Sequence, residues 1–332
     1  MIVNPEAMDF SDKKFSMIIY GSPGVGKTTL ALSAPDPVLL DFDRGISRVR
    51  AAHRKPTAFV SSYKDVLADL ASPAMKDFQT VIIDTGGSLV TFLKDWAMEE
   101  KGAKTKAGEF NSLKGFGFVK AEWNRFTEDV KTRLNKNIIY VFHSNEAADK
   151  DGNPIQRLVC EGSVRNTVWT PCDFGGYVQI IDGKRYICFS PEEEYFAKGC
   201  HGIHGKIEIP ELTASDKNDF VTRLFDRAKK TIAAENEAFA PVKEQYDAVM
   251  VEAKKIIDSV TDADSANASV DSLKALDHAL TSQKEASALL KQKANSLGLK
   301  FTKNGCVPKA PPSEQTDPVP SEDGAINEAQ NG

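Results

Sequence analysis

Short runs of apolar and β-branched residues alternate with amphipathic stretches over about the first 145 residues. Strands are predicted at "SMIIYG" (16–21), "PVLLDF" (37–42), "TAFV" (57–60), "QTVIID" (79–84) and "NIIYVFH" (137–143). Helical spacing falls at about 27–34, 63–71, 88–99 and 119–134. This alternation predicts an α/β fold with a mostly parallel sheet. "GYVQIIDGKRYICFS" (176–190) sets two β-rich runs around Asp182-Gly183, a hairpin signal. From about 213 to 297 the apolar residues recur at three- and four-residue spacings, so a small helical region follows the sheet. Residues 302–332 hold five prolines, five acids and two lysines, a composition that predicts disorder. The expected organisation is an N-terminal extension (1–12), a core (13–212), a helical region (213–300) and an acidic, proline-rich tail (301–332).

Composition narrows the setting. A net charge of -5 gives no global attraction to a polyanion, so a nucleic-acid surface has to be a local basic patch. No apolar stretch approaches the roughly 20 residues needed to span a bilayer. The opening "MIVNPEAMDFSDKKFS" lacks the basic and apolar regions of a signal peptide. Five scattered cysteines, an odd number, suit reduced thiols. These features predict a cytoplasmic protein with no membrane partner.

"IIYGSPGVGKTTLAL" carries the most specific motif. Gly21, four residues, then Gly26-Lys27-Thr28 fit the phosphate-binding loop, after a strand and before a helix as its mechanism requires. Glycine permits backbone conformations that aim N–H groups at phosphate oxygens, and the helix N-terminus adds favourable potential. The candidate cradle is Gly21, Ser22, Pro23, Gly24, Val25, Gly26, Lys27, Thr28 and Thr29. Lys27 is expected to reach the outer phosphates of ATP, with the Thr28 hydroxyl on Mg²⁺. Asp84, at the end of "QTVIID", is the second candidate Mg²⁺ ligand. Many AAA+ motors place a water-activating glutamate next, and this chain has Thr85-Gly86-Gly87 instead. Asp41 and Asp43 of "LLDFDRG" end a strand of the same sheet, near the edge where open α/β sheets bind ligands.

The ordered set of P-loop, "LLDFDRG", "VIID", "EWNRF", "IIYVFHSN" and "YFAKG" resembles the phage-type RecA-like nucleotide-binding proteins, over about residues 12–230. That group includes single-strand annealing recombinases that work beside a single-strand-binding protein. The resemblance implies a RecA-like P-loop NTPase core with a C-terminal β-hairpin. It implies a general base at Asp43, where the family has glutamate, with Asp41 in support. It places a phosphate sensor at His143 or Ser144. It also implies a finger at Lys198 that reaches a neighbouring subunit's nucleotide, hence a ring or filament, although Cys200 stands where an arginine is expected. Cores of this type hold single-stranded DNA through two loops. The first interval offers Lys101, Lys104, Lys106, Lys114 and Phe116, and the second Arg157 and Arg165.

The function so implied is an ATPase of phage DNA recombination or replication that binds or anneals single strands as an oligomer and is stimulated by DNA. Two alternatives stay open at this point. One is a P-loop kinase of a small molecule, and the other a replication accessory ATPase such as a helicase loader.

Overall fold

Alternate side chains of the central strands enter two separate apolar layers. The computed structural model describes residues 12–148, 151–303 and 305–309, with Val3, Met8 and Phe10. Strands β1 (Ser16–Gly21), β2 (Pro37–Asp41), β3 (Thr57–Phe59), β4 (Thr80–Asp84) and β5 (Asn137–Ala148) run parallel to one another. Ile18, Tyr20, Leu40, Ile83, Tyr140 and Phe142 face one layer, and Met17, Ile19, Leu39, Ile82, Ile139 and Val141 face the other. Burial on both faces is why these strands read as continuous apolar runs and not as alternating ones.

The first layer is closed by α2 (Tyr63–Ala71), α3 (Gly86–Ala97) and α4 (Ser112–Glu128), the second by α1 (Lys27–Ala31). Trp123 of α4 is fully buried and stacks on Tyr140 with ring centroids 4.4 Å apart. β6 (Pro154–Leu158) pairs antiparallel with the far end of β5, and a short α5 (Val164–Thr167) follows. β7 (Phe174–Ile181) lies parallel to β1 and continues through β8 (Lys184–Cys188) and β9 (Lys206–Ile209). Nine strands form the sheet, in the order β3-β2-β4-β5-β1-β7-β8-β9 with β6 beside β5. The expected α/β fold and hairpin are present.

Two boundaries differ from the sequence reading. The chain forms two compact units that divide between Asn236 and Glu237, within α6 (Phe220–Asp258). Val221, Leu224, Phe225, Ala228 and Ile232 pack into the second layer, so the core extends past 212. The other unit holds α7 (Ala263–Lys274), α8 (Ser282–Ser296) and a hairpin of β10 (Leu299–Thr302) and β11 (Gly305–Pro308). Ile257, Leu273, Leu290, Leu299 and Cys306 share its core. That hairpin crosses residue 301, where the tail was expected to begin, because Leu299 and Cys306 supply apolar side chains that the composition of the stretch hides. The tail from residue 310 and most of the N-terminal extension lie outside the described residues. Among the described residues no helix is long and apolar enough to cross a membrane.

Candidate functional site

β1 ends at Gly21, where a Cβ would stand 2.4 Å from the Val178 carbonyl of β7, so only glycine lets the two backbones approach. The loop then turns through Gly26 at φ +87°, a left-handed conformation, into the N-terminus of α1. Ser22, Pro23 and Gly24 are exposed, and Val25 anchors the loop in the second layer. Lys27 is buried, and its ammonium donates to the Ser22 carbonyl at 2.8 Å. The Thr29 carbonyl accepts from Asn218 at 2.9 Å, which ties the end of the cradle to the segment before α6.

Strand order brings the remaining groups to the same edge. β5 lies between β1 and β4, with His143 level with Gly21 and Val141 level with Asp84. Asp41 of β2 is level with Asp84. The Thr28 hydroxyl donates to Asp84 Oδ2 at 2.5 Å, so the two candidate Mg²⁺ ligands touch. Asp41 is fully buried and accepts the N–H groups of Gly45 and Ile46, both at 2.9 Å. It therefore shapes the turn after β2 and leaves Asp43 to face the site. Asp43 accepts from Gly45 N–H at 3.0 Å and pairs with Arg48 at 3.0 Å. Lys27, Thr28, Asp43, Arg48, Asp84 and His143 line one cavity of about 290 Å³.

Burial sets the charge states here. The Asp84 carboxyl is pushed up to about 6 by desolvation, with Asp43 and Asp41 adding to the rise and Thr28 and Lys27 opposing it. Desolvation holds the Lys27 ammonium down to about 8, against the pull of Asp84. His143 is lowered by burial and then by Lys27 and Arg48, which favours a neutral imidazole near pH 7. Its buried Nδ1 has no hydrogen-bond partner among the described residues, as suits a group that reads a ligand. The donor set fits a nucleotide with Mg²⁺: a backbone cradle and an ammonium for phosphates, and a hydroxyl touching a carboxylate for a hard cation.

Asp84 gives a test with opposite effects on stability and function. Its folded pKa is raised, so the stabilising neutral form is fully present below the ordinary value of 3.8 and is lost as pH rises through about 6. Asp84→Asn is expected to raise stability at pH 7 by about 2–3 kcal/mol, fading to nothing near pH 3.8, in thermal unfolding at the two pH values. Mg²⁺-dependent nucleotide binding should be lost in the same variant. A destabilised Asp84→Asn at pH 7 would contradict the assigned burial cost.

Other predicted residues fall elsewhere. The Lys198 ammonium donates to the Cys172 carbonyl. Cys172 immediately precedes Asp173, which bonds Ser16 at the start of β1, so Lys198 lies at the sheet edge opposite the P-loop. At that edge its ammonium has this internal main-chain partner and does not line its own chain's phosphate cavity. Lys101, Lys104 and Lys106 are exposed on the segment between α3 and α4, and Lys114 is exposed in the first turn of α4. Phe116 is half-buried, with its ring 5.1 Å from Phe110 and packed where a Cβ on Gly162 would sit, so its faces serve packing. Arg157 and Arg165 do meet, around a separate cavity of about 390 Å³ with Tyr20, Trp169 and Phe196.

Two arginines were missed as site residues. Arg48 lines the phosphate cavity, although "DRGISRVRAAHRK" reads as a solvated face. Arg185 Nη1 would stand 2.5 Å from a Cβ on Gly26, a contact between hairpin and P-loop that no local pattern announces. Arg48 and Arg185 also line an adjoining cavity of about 560 Å³ with Thr29, Arg50 and His53.

A glycine-cradled lysine beside a paired hydroxyl and carboxylate, at the C-terminal edge of a parallel sheet, defines a P-loop nucleotide-binding protein. A family model described as an AAA domain (AAA_24) matches residues 13–201, more than half of the chain, and the chain belongs to that family. The chain is 25% identical over 138 residues to the SPbeta prophage-derived uncharacterized protein YorG of Bacillus subtilis (strain 168). That match covers 40% of this chain and 42% of the relative, so the chain spans less than half the length of the curated protein it matches. Among solved structures, an ATPase from the type III secretion system of pathogenic bacteria overlaps 50% of this chain and 52% of its own, with TM-score 0.34 and 12% identity.

Proposed function

We propose that this AAA-domain protein is a RecA-like, Mg²⁺-dependent ATPase that holds single-stranded DNA as an oligomer in phage recombination or replication. The observation that carries the reading is the arrangement around one cavity: the Thr28–Asp84 contact, with Lys27, Asp43 and His143 lining the same space. Thr28 and Asp84 would hold Mg²⁺, which when bound neutralises phosphate charge. Lys27 binds the outer phosphates, Asp43 takes the proton of the attacking water, and neutral His143 hydrogen-bonds at the terminal phosphate. The adjoining 560 Å³ cavity shares Thr29 and Arg48 with the cradle and has room for the nucleoside. A phage setting is supported by the prophage origin in the name of the relative.

The DNA part of the reading rests on the second interval more than on the lysine loop. Arg157 and Arg165 offer phosphate contacts, and Trp169 and Phe196 stand edge to face with centroids 4.6 Å apart. Phe196 is 49% exposed, so it can present a face to a base. Such stacking contributes about 1–3 kcal/mol per base, and each phosphate contact adds about 0.7 to the salt slope for a single strand. A single-strand-binding protein is the partner that the same reading suggests.

The deciding experiment measures ATP turnover with and without single-stranded DNA at two salt concentrations, together with DNA binding. Stimulation and salt-sensitive binding are expected. Phe196→Ala should weaken DNA affinity by about 5- to 100-fold, and Arg165→Ala should also flatten the salt slope. DNA binding indifferent to salt and to both substitutions would remove DNA from the reading.

A further inference from the structure

Arg48 occupies a position that the sequence reading gave no role. It ends the short turn Gly45–Arg48 directly after β2. Buried Asp41 fixes that turn by accepting from Gly45 and Ile46, and Ile46 is itself buried. The backbone that carries Arg48 is thus held to the same sheet edge as Asp84. Its guanidinium folds back across Gly45, where a Cβ would stand 2.7 Å from Nη2 and 2.8 Å from Asp43 Oδ1. Glycine at this position leaves the space through which Arg48 reaches Asp43.

The charges around the phosphate cavity make this arginine useful. Lys27 and Arg48 are the cations that line it, and Asp43 and Asp84 the anions. Arg48 acts with Lys27 on the same His143 imidazole, so both cations lie within electrostatic reach of one point. Lys198, the expected outside finger, donates to Cys172 at the other edge. The Arg48 side chain is 70% exposed and its ion pair with Asp43 is at the surface, a link of low net worth that a phosphate can replace.

We propose that Arg48 is the arginine that stabilises the terminal phosphoryl group in transit, supplied within the same chain, and that its partner Asp43 is released as it moves. The inference rests on the ATP-hydrolysis reading above. In the step, the water oxygen bonds to the γ-phosphorus and the bond from that phosphorus to the bridging oxygen breaks. The bridging electron pair stays on ADP, and the water proton passes to Asp43 and then to bulk solvent. Arg48 offers forked donors to the equatorial oxygens, where charge is spread. The exchange of partners links phosphate arrival to freeing of the base, because Asp43 Oδ2 accepts from Arg48 while the pair is closed and is open to water once Arg48 has left.

The test compares wild type, Arg48→Ala and Arg48→Lys in steady-state ATP turnover, with labelled-ADP affinity measured separately. Arg48→Ala is expected to lower kcat by about 10²-fold or more while ADP affinity changes less than about fivefold, since ADP lacks the group Arg48 contacts. Arg48→Lys should recover a part only, as a point charge cannot fork. Mixing Arg48→Ala with Lys27→Ala chains separates same-chain from neighbour supply, and no recovery of turnover is expected. Turnover of Arg48→Ala within threefold of wild type would overturn the inference, as would recovery on mixing. A wild-type chain that binds nucleotide without turning it over would overturn the hydrolysis reading and this inference with it. Thermal unfolding of both variants should match wild type, so a loss of turnover reports on the site.

Discussion

Lys27→Ala is expected to weaken ATP and ADP binding by about 10²- to 10³-fold, measured by titration with a fluorescent nucleotide. The ammonium is the buried cation of the cradle and now has the Ser22 carbonyl as its bonded partner. Charge-assisted contacts to phosphate oxygens contribute roughly 3–4 kcal/mol together, which corresponds to that loss. The fold should survive. Lys27 is held down to about 8 by desolvation, so at pH 7 its charge is a burden on the folded state and not a support. Thermal unfolding without nucleotide should therefore be unchanged or slightly raised. Wild-type affinity should itself decline as pH rises through about 8 and the ammonium is lost. An unchanged nucleotide affinity in Lys27→Ala would sink the P-loop assignment.

What was legible in the sequence follows from how each element is stabilised. β1, β2, β4 and β5 are buried on both faces, so hydrophobicity alone marks them. The β7–β8 hairpin was readable from Asp182-Gly183, whose φ values of 49° and 77° are the left-handed pair of a tight turn. β6 was missed because its ladder is with the protruding end of β5, and "PIQRL" has one buried residue. α4 begins at Ser112, seven residues before the helix was expected. Asn111 caps it by accepting from Leu113 and Lys114, while Gly115 and Gly117 disguise its first turns as a loop. Gly115 is needed there because a Cβ would meet Phe110 at 2.4 Å.

The site divides along the same line. The cradle, Asp84 and Asp43 are strand-end and loop residues whose roles are carried by order and spacing, and the fold brings them to one cavity. Thr85-Gly86-Gly87, which lacks the glutamate of many AAA+ motors, has a packing reason. Thr85 caps α3, and a Cβ on Gly86 would meet the Phe142 ring at 2.3 Å. The sites of Arg48 and Arg185, and the cavity that Arg165 and Phe196 both line, depend on contacts between distant segments, so no window of sequence contains them. Lys198 shows the converse: a motif position kept in sequence while the fold gives its ammonium a main-chain partner.

Asp43→Asn should leave nucleotide affinity intact and lower kcat by about 10²- to 10⁴-fold, the usual contribution of a positioned base. The variant keeps an oxygen for the Gly45 N–H and loses the pair with Arg48. That pair is exposed, so stability should change by less than about 1 kcal/mol and cannot account for lost turnover. Removing a negative charge beside the phosphates should, if anything, tighten ATP binding. Asp43→Glu restores the length found in RecA-like proteins and should retain more turnover than Asn, which a purely structural turn residue would not require. If Asp43→Asn turned over ATP at the wild-type rate, the proton would have to go elsewhere. His143 is the next acceptor, because its lowered pKa keeps the imidazole neutral and its Nδ1 has no partner among the described residues. The double variant separates the two: if His143 takes the proton, the turnover left in Asp43→Asn is lost when His143→Gln is added.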